Sequence, residues 1–189
     1  MEKTLYEFEP FSQDGEINVV VETTRDSGSK FKYEPELGQV VLERSLPKGL
    51  EFPFDFGFVP STLGDDGDPL DALVLLDSAV FPGCMVKARL IGVIEATQKK
   101  GKERLRNDRL VAVQANSVTW NDVRELDELP RGLIEQFGHF FRSYHEVQGT
   151  PFKVIAQRGA RHAKKLVEQG IKRFRKSKKA TPEQAHKYP

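Results

Sequence analysis

The chain has 189 residues, 38% of them hydrophobic and 30% charged, and its 29 Lys and Arg almost balance 28 Asp and Glu. That composition fits one soluble domain able to bury most of its apolar surface. The net charge of +1 gives little support to a protein that works by coating nucleic acid with cations. A single cysteine, Cys84, excludes an internal disulfide and fits a reducing compartment. The first residues lack the basic start and apolar core of a signal peptide, and no apolar run approaches the ~20 residues of a membrane helix. A cytoplasmic protein with no membrane contact is expected.

In chain order, the β-branched run 17–23 predicts a strand, and 31–34 predicts another after the turn at 25–30. On that second strand Lys32 and Glu34 share one face, and Phe31 and Tyr33 the other. Residues 39–44 return as its hairpin partner. In 50–59, Phe52, Phe54, Phe56 and Phe58 recur at period two, the pattern of a core stripe. Strands follow at 72–77 and 85–94, separated by Pro82-Gly83. The charged stretch 98–108 reads as a mobile loop or an extended hairpin tip, and 110–114 as a strand. Pro130 can open a helix that places Leu133, Ile134, Phe137, Phe141 and Tyr144 on one face. After a break at 149–151 come a last strand at 152–156, a basic helix at 160–176 and a frayed tail beyond Lys178. No repeat or linker divides the chain, so 1–189 is one domain, with 160–189 as its basic end. Many short strands and two late helices predict an antiparallel barrel or strongly curved sheet flanked by helices, a mainly β or α+β fold.

The chemistry concentrates at 64–76. Asp65, Asp66, Asp68 and Asp71 fall among Gly64, Gly67 and Pro69, directly before the apolar run 72–76. Glycine and proline keep the segment out of a helix, and the apolar run ties it to a buried strand. Four like charges so close need an offset, from water at an exposed tip or from divalent cations. The spacing is not that of an EF-hand loop, because counting from Asp66 puts Leu70 where an oxygen ligand is needed. In aspartyl-nucleophile phosphohydrolases the apolar strand precedes the Asp pair, whereas here it follows. Carboxylate ligands favour Mg²⁺ or Mn²⁺ over zinc, and Mg²⁺ commonly works with a phosphate substrate. Lys32 and Arg44 are upstream cations suited to phosphate oxygens, with Glu22 and Glu34 beside them in the strands.

The run Asp66-Gly-Asp-Pro-Leu-Asp71 resembles the signature of the family I soluble inorganic pyrophosphatases. Glu22, the segment around Lys32 and Glu34, Arg44, the phenylalanine stripe, Gly92, 110–113 and 139–144 occur in that family's order and approximate spacing. The resemblance implies a five-stranded, OB-like β-barrel with flanking α-helices, and a homo-oligomer that is commonly a hexamer in bacteria. It implies Mg²⁺-dependent hydrolysis of pyrophosphate to two phosphates, with Mn²⁺ as an alternative metal and a water between metal ions as nucleophile. On matching positions Asp66 and Asp71 would be metal ligands and Asp68 the general base. Lys32, Arg44, Tyr144 and Arg109 would bind phosphate, and Glu22 and Glu34 would add metal contacts.

The chain also departs from the family pattern. Phe52 and Phe56 stand where tyrosines are usual, and His145 where a lysine follows the tyrosine. Two metal-binding aspartates fall on Gln98 and Asn107, and a phosphate-binding lysine on Arg109. Amides coordinate Mg²⁺ without neutralising it, so at least one metal site should be weakened. Glu103 or Asp108 could restore charge only if the longer loop shifts register, which for Asp108 requires a bulge. A pyrophosphatase-like protein of low activity, which binds phosphate ligands or cleaves another phosphoanhydride, is the alternative expectation. Single-stranded nucleic-acid binding through the barrel is a weaker one.

Overall fold

The structure is a computed structural model that describes residues 3–101 and 103–180; the end of the expected frayed tail, with His186, lies outside the described residues. Its centre is a closed ring of five strands. Strand β1 (Ile17–Thr23) pairs with β4 (Asp55–Val59), β4 with β5 (Leu70–Leu75), β5 with β8 (Arg109–Gln114), and β8 with the long β6 (Met85–Lys100). Strand β6 also pairs with β1, from Ile17↔Ala88 to Val20↔Met85, which closes the barrel. A purely antiparallel barrel is not what forms. In a ring with an odd number of strands direction cannot alternate all the way round, so one neighbouring pair must be parallel. That pair is β5 and β8, in register from Ala72↔Leu110 to Leu75↔Val113.

Alternation along the strands feeds two cores. Leu73, Leu75, Val111 and Val113 face a phenylalanine-rich core shared with helix α1 (Arg131–Val147), whereas Ala72, Val74, Leu110 and Ala112 pack with Ala163 and Val167 of helix α2 (Ala160–Ala180). All four stripe residues, Phe52, Phe54, Phe56 and Phe58, are buried, although strand geometry begins only at Asp55. Phe137 of α1 meets Phe54 with ring centroids 4.1 Å apart. Phe140, which the expected helix face left out, is buried as well. The hairpin β2 (Ser29–Glu34) and β3 (Gln39–Ser45) forms its own two-stranded sheet.

Two expectations about the charged stretch resolve in favour of the hairpin. Strand β6 continues through Gln98 to Lys100 and pairs with β7 (Glu103–Arg106), from Thr97↔Arg106 to Lys100↔Glu103. On its other edge β6 pairs with β9 (Phe152–Gly159), which runs directly into α2. The barrel therefore presents the acidic turn before β5, the β6–β7 hairpin and the end of α1 around one opening.

Candidate active site

That opening leads into a cavity of about 310 Å³. Its acidic edge is set by the turn before β5. The Gly64 N–H donates to the Asp68 carbonyl at 2.7 Å, and the Asp68 N–H to Asp66 Oδ1 at 3.2 Å. Gly67 takes φ +90°, a conformation that strains other residues. The turn is anchored to the barrel through Thr62, whose hydroxyl accepts from the Leu70 N–H at 3.0 Å and donates to the Val59 carbonyl at 2.6 Å.

The like charges of this turn are offset largely by the protein's own cations. Arg173 of α2 lies 2.9 Å from Asp65, Lys32 of β2 lies 3.4 Å from Asp68, and Arg109 of β8 lies 2.6 Å from Asp71. Asp66 has no cationic partner within ion-pair distance among the described residues. Burial pushes the Asp66 and Asp71 carboxyls up; Arg109 draws both back down.

Arg109 is itself tightly held. Its guanidinium sits over the rings of Phe56, Phe141 and Phe152, at 5.6, 5.1 and 5.9 Å from their centroids. It also donates to Asn107 Oδ1 and, at 3.1 Å, to the Asp108 carbonyl. Asn107 in turn donates to Gln98 Oε1 at 2.5 Å. The two amides expected as metal ligands thus line the cavity but spend both oxygens within the protein, Gln98 on Asn107 and Asn107 on Arg109. Asp108 turns away: its carboxylate accepts from the Ala96 N–H at 2.9 Å and from Arg106 at 2.8 Å. Glu103 is exposed at the far hairpin tip, so neither acid restores the missing charge.

The cationic wall comes from the β2–β3 hairpin. Lys30 pairs in register with Arg44, and Glu43 lies between them, 2.9 Å from Lys30 and in contact with Arg44. Lys30, placed in the turn by sequence reading, belongs to the cavity together with Lys32 and Arg44. Alternation along β2 was the available signal, since Lys30 and Lys32 are two residues apart. Arg106 and Tyr6, which no motif in the sequence marks, also line the cavity. Glu22 lines it too; its Oε1 accepts from the Tyr33 N–H at 2.7 Å, and burial pushes its carboxyl up to about 7. Glu34 shares a face with Lys32 but lies beyond the cavity lining.

Tyr144 and His145 close the cavity from α1. His145 stacks on Phe152 at 5.0 Å and 7° between planes, with Nδ1 at 3.2 Å from the Thr150 hydroxyl. Burial and the nearby Arg109, Lys30 and Arg44 push its pKa down to about 3. His162 lies elsewhere, 3.2 Å from Glu95.

These residues do not fit a resident cluster of several divalent cations. Among the described residues no group of three or more His, Cys, Asp or Glu is arranged to hold a metal ion. Two of the three aspartates facing the cavity carry an ion-paired Lys or Arg, and the amides beside them are neutral and already bonded to each other.

The sequence profile of the inorganic pyrophosphatases matches residues 19–175. The chain is 33% identical over 161 residues to the inorganic pyrophosphatase of Nostoc sp., covering 85% of this chain and 93% of that protein. It is 36% identical over 155 residues to that of Leifsonia xyli, covering 82% and 93%. The crystal structure of the Thermus thermophilus inorganic pyrophosphatase superposes with a TM-score of 0.85 at 31% identity, over 92% of this chain and 99% of that one. A five-stranded barrel flanked by two helices, an acidic turn opening onto a cationic cavity, and similarity along nearly the whole chain agree: this protein belongs to the inorganic pyrophosphatase family.

Proposed function

We propose that the cavity binds pyrophosphate and hydrolyses it to two phosphates. The observation that carries this reading is the convergence of Asp66, Asp68 and Asp71 with Lys30, Lys32 and Arg44 on one cavity. Cations on one wall neutralise phosphoryl oxygens, and a carboxylate on the other accepts a proton from water. Asp68 is the proton acceptor in this scheme, as the most exposed of the carboxylates held at an ion pair in the cavity, with Lys32 fixing its direction. Lys30 and Arg44 bind the phosphate that stays, and Tyr144 bounds the substrate from α1. Magnesium, or manganese in its place, would come as the counter-ion of pyrophosphate and neutralise part of its charge. Such an ion keeps several waters and needs only one or two carboxylates besides the phosphates, and Asp66 is the carboxylate of the turn left for it.

Phosphate release from pyrophosphate with Mg²⁺ and then Mn²⁺, for wild type and Asp68→Asn, tests this. The variant should be slower by about 10²-fold or more; equal rates would remove Asp68 from its role. A second reading is favoured by the chain from Arg109 through Asn107 to Gln98, which occupies both amide oxygens. In it the protein binds phosphate ligands with little turnover, or cleaves a different phosphoanhydride. Self-association belongs to the same proposal and is supported by exposed apolar side chains such as Leu37, Leu42 and Phe81. Sedimentation would separate a hexamer from smaller forms. A cytoplasmic location is likewise proposed, on the free Cys84.

A further inference from the structure

We propose that Lys32 and Arg109 take over the charge-neutralising work of divalent cations at the acidic turn, so that the cavity binds pyrophosphate without a metal ion. This rests on the reading of the cavity as a pyrophosphate site and concerns how that site holds its ligand.

The geometry is specific on three counts. First, the two cations stand on the carboxylates themselves, Lys32 at 3.4 Å from Asp68 and Arg109 at 2.6 Å from Asp71. Each comes from a strand remote in sequence, so the pairing is a product of the fold. Second, both have donors left over. An ammonium carries three N–H groups and a guanidinium five. Arg109 lines the cavity and makes its contacts with Asp71, Asn107 and the Asp108 carbonyl through Nη1 alone, which leaves its other terminal nitrogen to donate. Each cation can therefore keep its aspartate and still donate to a phosphate oxygen, bridging acid and anion as a bound metal ion would. Third, the cavity is balanced. The five lining carboxylates, Glu22, Glu43, Asp66, Asp68 and Asp71, are matched by five Lys and Arg side chains. A wall that recruits several divalent cations needs an excess of negative charge. Here the excess is absent.

Arg109 is also fixed beforehand, by three aromatic rings and by Asn107. A cation held in place loses little freedom when the ligand arrives, which favours binding. Lys32 is the more open member, with 36% of its side chain exposed.

The test is pyrophosphate binding to the whole protein by isothermal titration calorimetry, in EDTA and in excess Mg²⁺. Dissociation constants within about tenfold of each other are expected. In EDTA, Lys32→Gln should weaken binding at least tenfold and Lys32→Arg should restore it. Position 32 is exposed enough that both variants fold, whereas Arg109→Gln serves only where its unfolding transition remains cooperative. Binding that appears with Mg²⁺ and vanishes in EDTA would overturn the inference while leaving the cavity a pyrophosphate site. Metal-free binding indifferent to Lys32→Gln would equally overturn the part given to Lys32. Failure to bind in both conditions would remove the pyrophosphate reading and the inference together.

Discussion

Arg109 and Asp71 meet at 2.6 Å across the parallel pair β8 and β5, with the Arg109 side chain 6% exposed and that of Asp71 24%. The contact joins the barrel wall to the acidic turn. Removing one member of such a pair leaves the other charge without its partner in a largely desolvated place, typically a loss of roughly 3–5 kcal/mol. Arg109→Met keeps the bulk against Phe56, Phe141 and Phe152 and isolates the charge effect. Its urea unfolding midpoint should fall by the equivalent of about 3 kcal/mol. A midpoint within error of wild type would mean that Asp71 finds its compensation elsewhere.

Barrel closure depends on Gly57. A Cβ built there would lie 1.9 Å from the Val20 carbonyl oxygen and 2.8 Å from Val21 Cα, both backbone atoms. Neither can turn aside as the end of a side chain would, so β1 and β4 must separate for any other residue to fit. Gly57→Ala is expected to cost at least about 3 kcal/mol, at the upper end of overpacking effects. Thermal unfolding followed by circular dichroism measures it, and an unshifted transition would contradict the close approach of the two strands.

Much of this fold is legible from local pattern, because β-branched runs and a period-two phenylalanine stripe report burial directly. Strands β1, β3 and β8 and both helices lie where that pattern puts them. What local pattern does not carry is which strands become neighbours. The parallel β5–β8 pair follows from closing an odd-numbered ring, and the Arg109–Asp71 contact follows from that pair. Lys30 was lost for a related reason: Ser-Gly-Ser-Lys reads as turn, yet β2 starts at Ser29 and pairs Lys30 with Arg44. Glu34 shows the converse. It shares the face of Lys32, but two residues along a strand is a step of ~7 Å, enough to pass the edge of the cavity. The aspartates of the turn are readable as a charged cluster, and Lys32 and Arg109 as site cations; that these two and Arg173, from three separate elements, pair with the aspartates is not.

His145 gives an acid-sensitive fold. Its pKa is pushed down to about 3 by burial and by Arg109, Lys30 and Arg44, against an ordinary value of 6.5. A histidine whose folded value lies below its unfolded one stabilises the fold above the unfolded value and loses that contribution as the pH falls towards the folded one. The window is therefore pH 6.5 down to 3. At ~1.4 kcal/mol per pH unit the loss over the whole window is on the order of 5 kcal/mol. Glu22 acts in the opposite sense, since its raised carboxyl stabilises the fold as the pH falls from about 7 towards 4.5. The His145 slope is accordingly read as a difference between wild type and His145→Phe, which keeps a ring against Phe152. Chemical denaturation at pH 7, 5 and 4 should show wild type losing stability relative to His145→Phe as the pH falls. A constant difference would exclude His145 as the titrating group.

Gln98 and Asn107 decide how the cavity treats magnesium. They line the cavity beside the acidic turn, bonded to each other at 2.5 Å, and Asn107 accepts from the same Arg109 nitrogen that meets Asp71. Changing both to aspartate adds two negative charges where the chain now has none, and hard oxygen ligands bind Mg²⁺ more tightly as their charge rises. Two like charges at amide contact distance also repel, so the pair gains most when a cation comes between them. Gln98→Asp with Asn107→Asp should bind Mg²⁺ at least tenfold more tightly than wild type in a calorimetric titration without substrate. Asn107→Asp alone should give less, because the new carboxylate can satisfy itself on Arg109. That competition has a further sign: by drawing Arg109 from Asp71, it releases a carboxylate of the turn, so the double variant should take up Mg²⁺ at the expense of metal-free pyrophosphate binding. An unchanged Mg²⁺ titration would show that these two positions do not face a cation, and that the charge balance of the cavity is set by the turn and its paired Lys32 and Arg109 alone.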